Sequence, residues 1–266
     1  MTITQAIIQS VVEGLTEFLP ISSTAHMKFV NPMIGVDPND DFSQLFDIVI
    51  QLPAILAVVV LYWRKFFDFS RFTFYLKLIV AVIPALIFGA LLNKYIDRAL
   101  GNLYFIAWVM LGGGIILLFV DGWFKNPTID DEKQVSNAAA FKIGCFQVLS
   151  ILLPGVSRSA ATIVGGMTQK LTRKAAAEFS FFLAVPTMLA ATVKKLWDTH
   201  KDHPDVLNQS HASMLLLSSV VAFFVAIIVI RFFIDFIKKY GFKPWGYYRI
   251  VVGGVMLFLL WRGYLS

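Results

Sequence analysis

Residues 13–26 read EGLTEFLPISSTAH, which places two carboxylates, several hydroxyls and an imidazole in an otherwise apolar stretch. Pro20 favours a break in a helix, and the hydroxyl residues after it are typical of a new helix start. Residues 152–159 have the similar sequence LLPGVSRS. Broken helices occur at membrane depth only where protein buries them or where they line a cavity. We therefore interpret residues 3–30 and 138–170 as two re-entrant helix–turn–helix segments.

The composition predicts an integral membrane protein. Of the 266 residues, 58% are hydrophobic and 15% are charged, whereas soluble domains have roughly 25% charged residues. Six apolar runs approach the roughly 20 residues that a membrane-spanning helix needs. These runs cover about residues 45–63, 74–92, 103–124, 176–197, 212–234 and 245–265. The sequence thus predicts an all-α polytopic membrane protein with about six full spans in addition to the two re-entrant segments.

A weak internal repeat relates the two halves of the chain. The matching positions are Pro20 with Pro154, Pro53 with Pro186, and Gly113-Gly114 with Gly253-Gly254. Each half, about residues 1–125 and 138–266, would hold one re-entrant segment and three spans. An odd number of spans inverts the second copy, as in transporters whose broken helices form a site at the repeat interface. We therefore expect a single membrane domain over residues 1–266 with an inverted internal repeat.

The net charge of +6 is spread over short clusters between the apolar runs, so we do not expect nucleic acid as a partner. Such clusters set the orientation of a membrane protein. The loops 64–77 and 231–244 are the most basic, and the first of them contains Arg71. They predict a cytoplasmic side for both loops and an outer side for both chain ends. The competing loops, 93–102 and 194–211, are only slightly poorer in positive charge.

The single cysteine, Cys145, excludes a disulfide within this chain and provides no cysteine metal cluster. We expect it to be a small, buried apolar residue. The first residues lack the basic and small-residue pattern of a secretory signal, so we expect the N-terminus to belong to the mature fold.

Two acidic residues, Glu13 and Glu17, are spaced so that one helical face carries both. Two carboxylates in an apolar setting are costly unless a positive group, a metal ion or a shared proton lies between them. The alternative is that both face water at the membrane surface. The apolar residues that follow Glu17 favour the buried arrangement.

A cluster of hydroxyls and one imidazole follows Pro20. Ser22 and Ser23 lie four and three residues before His26, so on a helical turn the imidazole would reach a hydroxyl. A weak nucleophile beside a base is the arrangement that covalent catalysis requires. The alternative is local, because Ser and Thr, including Thr24, commonly cap helix starts.

The second broken segment contains PGVSRSAAT, residues 154–162. Backbone N–H groups at a helix start, hydroxyls and a guanidinium together favour an anion site, since arginine holds phosphate with two parallel hydrogen bonds. The candidate phosphate ligands are Ser157, Arg158, Ser159 and Thr162, with Thr24 from the first segment. The alternative is an arginine that extends to the lipid headgroups.

These two motifs together resemble the signature of the undecaprenyl pyrophosphate phosphatase family, the bacitracin-resistance type of bacterial membrane phosphatase. The resemblance covers nearly the whole chain; Ala25 and Ala160 stand where the family often has glycine. It implies removal of one phosphate from undecaprenyl pyrophosphate, the lipid carrier of cell-wall precursors. It also implies a plasma-membrane protein whose site faces the extracytoplasmic side and uses a divalent cation, Mg²⁺ or Ca²⁺.

By motif position, the resemblance assigns the acidic pair to Glu13 and Glu17, the serine to Ser22 or Ser23, the histidine to His26 and the arginine to Arg158. The residues leave the nucleophile open between a serine, water and His26. A lipid-phosphate transporter or flippase is the alternative function, because inverted repeats are common in transporters. Membrane lipid is an expected partner, and a homodimer is an open expectation.

Overall fold

The chain, described here by a computed structural model over residues 1–38, 40–68 and 72–265, is almost entirely helical. The helices in the described ranges are α1 (Ile3–Thr16), α2 (Ser23–Met33), α3 (Asp41–Val49), α4 (Gln51–Leu61), α5 (Trp63–Phe66), α6 (Phe72–Leu91), α7 (Asn93–Leu100), α8 (Leu103–Trp123), α9 (Asn137–Leu152), α10 (Arg158–Thr168), α11 (Arg173–Asp202), α12 (Gln209–Tyr240) and α13 (Lys243–Trp261).

Five stretches of the described chain are long and apolar enough to cross a membrane. They are Asp41–Leu61, Phe72–Leu91, Leu103–Trp123, Arg173–Asp202 and Gln209–Tyr240. Large apolar side chains such as Ile79, Ile116 and Phe224 are exposed on them, and so large an apolar surface requires lipid around it. The sixth predicted span forms the 19-residue helix α13, whose polar first half contains Lys243 and Arg249. The protein is thus an all-α, multi-pass membrane protein, as predicted.

Both predicted re-entrant segments are helical hairpins whose two ends lie side by side. At the open end of the first hairpin (α1 and α2), the Gln5 Nε2 donates to the Ile34 carbonyl at 2.8 Å. At the open end of the second (α9 and α10), the Lys170 carbonyl accepts hydrogen bonds from the N–H groups of Thr128 and Ile129, in the segment that connects α8 to α9. Each segment therefore leaves on the side where it entered.

The long helix α11 shows that the two hairpins open at opposite ends of the molecule. It begins just after Lys170, at the open end of the second hairpin. Its 30 residues extend about 45 Å. Beyond its last turn, His203 Nδ1 lies 3.1 Å from Asp41 Oδ2, near the open end of the first hairpin. The tips meet between these ends, where the Ser159 hydroxyl donates to the Leu19 carbonyl at 2.7 Å.

The most extensive helix contacts join the two halves of the chain. Helix α1 packs on α12, α9 packs on α6, and α8 packs on α13. Small residues make the close approaches: a Cβ on Gly14 would lie 2.8 Å from the Val225 Cβ, and one on Gly144 would overlap the Ala81 carbonyl. Each hairpin therefore lies against a helix of the other half. The boundaries of the two repeat halves stay a prediction.

The structure corrects the prediction for Cys145, which is exposed rather than buried. On α9 it shares a face with Phe141 and Leu149, which are 47% and 40% exposed. The neighbouring Gly144 makes the inward contact, and the next residue is turned about 100° away from it. Cys145 therefore lies on an outward, apolar face of the helix.

The basic loops are shorter than predicted because the helices beside them are longer. Helix α12 continues through Arg231 to Tyr240, and α11 continues to Asp202, so much of 231–244 and 194–211 is helical. The loop 93–102 contains α7. Arg71, part of the orientation argument, lies outside the described residues.

Candidate active site at the meeting point of two hairpins

The second helix of each hairpin is preceded by an N-capping serine in the same unusual conformation. Ser22 has φ 69° and its side chain accepts from the Ala25 N–H; Ser157 has φ 77° and its side chain accepts from the Ala160 N–H. Positive φ is uncommon outside glycine, and the cap hydrogen bond helps to offset its cost. The two breaks therefore have matching geometry, and both capping hydroxyls serve the local backbone.

The hydroxyls of the second motif connect the two tips. Ser157 and Ser159 both donate to the Leu19 carbonyl, at 3.3 and 2.7 Å. Thr162 is one turn further along and pairs with the Ser180 hydroxyl at 2.6 Å. In this structure the three predicted phosphate ligands make hydrogen bonds within the protein, to the other hairpin tip and to α11. Their contact with phosphate stays a prediction.

Glu17 joins the two motifs. One of its oxygens, Oε1, accepts from Arg158 Nη2 at 2.8 Å, and the other, Oε2, accepts a short hydrogen bond from the Ser23 hydroxyl. Glu17 is 8% exposed, and the Arg158 side chain is 13% exposed. The alternatives of a water-facing carboxylate and a headgroup-bound arginine are therefore wrong. A hydroxyl, a carboxylate and a guanidinium therefore lie in one hydrogen-bonded chain.

Arg158 is held from several sides. Its Nη1 donates to the Ser180 carbonyl at 3.1 Å, its Nη2 also approaches the Met188 sulfur at 3.4 Å, and its charge lies over the Phe18 ring at 5.9 Å. A guanidinium has five N–H donors, and with Glu17 three of them are used. The remaining donors are the ones that a phosphate group would engage.

Glu13 is buried, 1% exposed, and its Oε1 has no hydrogen-bond partner. It lies one turn before Glu17, which caps the C-terminal end of α1 in helical conformation, so the predicted shared face is confirmed. Within the described ranges, no group of three or more His, Cys, Asp or Glu side chains is placed to bind a metal ion. Mg²⁺ is commonly bound by one or two carboxylates, with substrate phosphates and water completing its shell. The unpartnered Glu13 oxygen beside Glu17 fits that donor set.

The His26 imidazole lies in a different contact from the one predicted. Its Nδ1 is 2.8 Å from the Ser22 carbonyl oxygen and its Nε2 is 2.8 Å from the Tyr248 hydroxyl. A carbonyl only accepts, so Nδ1 carries the proton and the lone pair of the neutral ring is on Nε2. The expectation that His26 reaches a serine hydroxyl is wrong, because the helical turn directs it to the main chain. Thr24, on the first turn of α2, is partly exposed.

We expect Tyr248→Phe to lower turnover by roughly threefold to tenfold, the value of one hydrogen bond. The phenol fixes Nε2 of His26, and its loss would free the imidazole to rotate. The adjacent Tyr247, 61% exposed, provides the matched control Tyr247→Phe, which should retain full turnover. Steady-state kinetics of both variants make the comparison. Equal turnover in the two variants would show that the Tyr248 contact has no part in the reaction.

Sequence reasoning missed Tyr248 and Arg249, both on α13. Arg249 is fully buried, with five hydrogen bonds to carbonyl oxygens of both hairpin tips and of α8. The available signal was its position inside an apolar run, since an ionisable residue within a span is a functional candidate.

Comparison with known proteins identifies the family of the chain. Residues 6–255 match the family model described as bacitracin resistance protein BacA. A protein of Flavobacterium psychrophilum named undecaprenyl-diphosphatase is 52% identical over 97% of this chain and 96% of its own. Proteins with the same name from Porphyromonas gingivalis (strain W83) and Bdellovibrio bacteriovorus are 48% and 43% identical, each over 99% of this chain and 98% of their own. The chain therefore belongs to the bacitracin resistance protein BacA family.

Proposed function

We propose that this protein hydrolyses undecaprenyl pyrophosphate to undecaprenyl phosphate and inorganic phosphate. The observation that carries the proposal is the Glu17 carboxylate, which accepts from Ser23 on one oxygen and from Arg158 on the other. That chain contains what phosphoryl transfer needs: a nucleophile, a base and a cation for the phosphate. The name of the relatives supports the lipid pyrophosphate as substrate.

In the first step the Ser23 oxygen attacks the terminal phosphorus, and its proton passes to Glu17. The bond from that phosphorus to the bridging oxygen breaks, so undecaprenyl phosphate leaves and Ser23 carries the phosphoryl group. Water then attacks the phosphoserine, and the bond from phosphorus to the serine oxygen breaks. Glu17 returns its proton to that oxygen, so inorganic phosphate leaves and the Ser23 hydroxyl and the Glu17 carboxylate are restored. Arg158 opposes the negative charge that develops on the phosphoryl oxygens.

Two further groups support this chemistry. His26 is fixed on Nδ1 by the Ser22 carbonyl, so its Nε2 is the atom that exchanges a proton with the substrate or the Tyr248 hydroxyl. Glu13 and Glu17 would hold a divalent cation, Mg²⁺ or Ca²⁺, which would neutralise pyrophosphate charge when bound. The unpartnered Glu13 oxygen supports this assignment.

The proposal places the protein in the bacterial plasma membrane with the site open to the extracytoplasmic side. The polyprenyl chain would lie along the exposed apolar faces of the spans. Hydrolysis there returns the carrier to the monophosphate form that cell-wall synthesis reuses. The same hydrolysis would confer bacitracin resistance, in keeping with the description of the family.

An assay in detergent distinguishes hydrolysis from transport, because detergent solution has no second compartment into which a lipid could be moved. We expect the purified protein in detergent to release phosphate from farnesyl pyrophosphate, and we expect a chelator to abolish the release and excess Mg²⁺ or Ca²⁺ to restore it. A folded protein that binds the substrate but releases no phosphate would support a lipid-phosphate transporter. Release that is indifferent to chelator would remove the cation from the proposal.

Ser23→Ala should abolish almost all turnover and should be far more damaging than Thr24→Ala. The Ser23 hydroxyl donates a hydrogen bond to Glu17, whereas its neighbour Thr24 is partly exposed at the start of the helix. Rapid quenching with radiolabelled terminal phosphate should trap a phosphoenzyme in the wild type and none in the serine variant. Near-normal turnover of Ser23→Ala, together with an inactive His26→Ala, would assign the attack to water, His26 or Ser22.

A further inference from the structure

Arg249 is a buried cation, and all of its described hydrogen bonds go to main-chain carbonyl oxygens. Its Nε donates to the Met110 carbonyl at 3.2 Å, and its Nη2 donates to the Val109 carbonyl at 3.5 Å. These acceptors belong to α8. The other acceptors are at the two hairpin tips: the carbonyls of Pro20 at 3.2 Å, Val156 at 2.6 Å and Gly155 at 2.8 Å.

These contacts use all five N–H donors of the guanidinium. Arg249 therefore has no donor left for a phosphate group, in contrast to Arg158. A buried charge is costly unless hydrogen bonds compensate it, and here the compensation comes from carbonyls of three separate chain segments. The residue is thus built to fix the position of main-chain segments.

The chain makes room for this guanidinium at a specific place. A Cβ on Gly113 would overlap the Arg249 guanidinium, and one on Gly114 would lie 2.8 Å from the Arg249 Cβ. The preceding Gly112 has nothing within 4 Å of a Cβ position. In the repeat, Gly113 matches Gly253. The same alignment makes Val109 the equivalent of Arg249 in the first half. Only one half of the chain therefore contributes such a residue.

We propose that Arg249 is a positioning residue that holds the two hairpin tips in register, so that Glu17 of one tip meets Arg158 of the other. The inference rests on the proposed phosphatase function. Glu17 lies three residues before Pro20, and Arg158 lies two residues after Val156, so a shift of either tip moves a catalytic side chain. Lysine has only three donors on a compact head and cannot replace the five-bonded fork.

The test compares Arg249→Lys, Gly113→Ala and the matched control Gly112→Ala, each at equal amounts of folded protein and well below its melting temperature. We expect Arg249→Lys to lower kcat on the order of 10²-fold, as small misplacements of catalytic groups do, with KM changed much less. Gly113→Ala should lower kcat in the same way, and Gly112→Ala should retain it. A merely structural role would lower the melting temperature and leave kcat of the folded protein unchanged, which would overturn the proposal.

The double variant Gly113→Ala/Arg249→Lys makes the test specific to this contact. If Gly113 exists to admit the guanidinium, the alanine should add no further loss of kcat or melting temperature once the guanidinium is absent. Independent, additive losses would overturn the proposal. The melting-temperature cycle does not depend on activity, so a wild type that releases no phosphate would contradict the proposed function without deciding the contact.

Discussion

Replacement of Arg158 by lysine is expected to lower kcat by 10²-fold or more, on the order found when one preorganised donor is removed. Lysine keeps the positive charge but loses the planar fork that pairs with Glu17 and that, in the proposed function, would also engage two phosphate oxygens. The loss should therefore be similar in kcat and in kcat/KM, because the interaction is made in the transition state. Steady-state kinetics on a soluble short-chain prenyl pyrophosphate measure both constants.

A matched control for Arg158→Lys is available at Arg173, whose Nε pairs with Asp121 Oδ1 at 2.7 Å at the open end of the second hairpin. Arg173→Lys makes the same chemical change away from the site and should retain normal turnover. A rise of KM with unchanged kcat in Arg158→Lys would limit that arginine to recruitment of the substrate. Full activity of the variant would contradict its role as a phosphate clamp.

The second large effect is expected for Glu17→Gln, with a loss of roughly 10²- to 10⁴-fold in kcat, the range found for general base catalysis. Glutamine has nearly the same shape but cannot accept the Ser23 proton, and it also removes the negative partner of Arg158. Asp198→Asn, in the exposed pair of Asp198 with Lys194, serves as the control for loss of a carboxylate charge and should be silent.

Glu13→Gln tests the proposed cation site while the proposed base, Glu17, stays in place. The substitution keeps the hydrogen bond from Ser23 to Glu17 and removes one charge from the carboxylate pair. It should therefore raise the cation concentration that is needed for the half-maximal rate. Wild-type turnover at low Mg²⁺ in both Glu13→Gln and Glu17→Gln would contradict a metal site here. Titration of Mg²⁺ at saturating substrate makes the measurement.

The hairpins were predictable because their signals are local. Pro20 and Pro154 interrupt apolar helices, and serines follow each break, so the backbone chemistry itself marks the turns. The repeat predicts that the two broken segments meet at one site, and the structure brings Glu17 and Arg158 together there. A short pattern was therefore enough to bring together residues that are far apart in the chain.

Contacts that depend on the packing of distant helices were not predictable in this way. His26 has the spacing to reach a serine hydroxyl, yet α13 supplies Tyr248 and the turn supplies the Ser22 carbonyl. Cys145 was predicted to be buried because of its residue type. In a membrane protein, however, apolar residues are also favoured on the outer surface, which faces lipid. Arg249 has no motif, and its role follows only from the carbonyls that surround it.

The most direct measurement is release of inorganic phosphate from undecaprenyl pyrophosphate by the purified protein in detergent, beside the variant Glu17→Gln/Arg158→Lys. Both proteins are first shown to be folded by gel filtration and thermal melting. Hydrolysis at the hairpin tips predicts one phosphate released per lipid by the wild type and background release by the variant. Equal release by the two proteins, or none by a folded wild type supplied with Mg²⁺ or Ca²⁺, would contradict it.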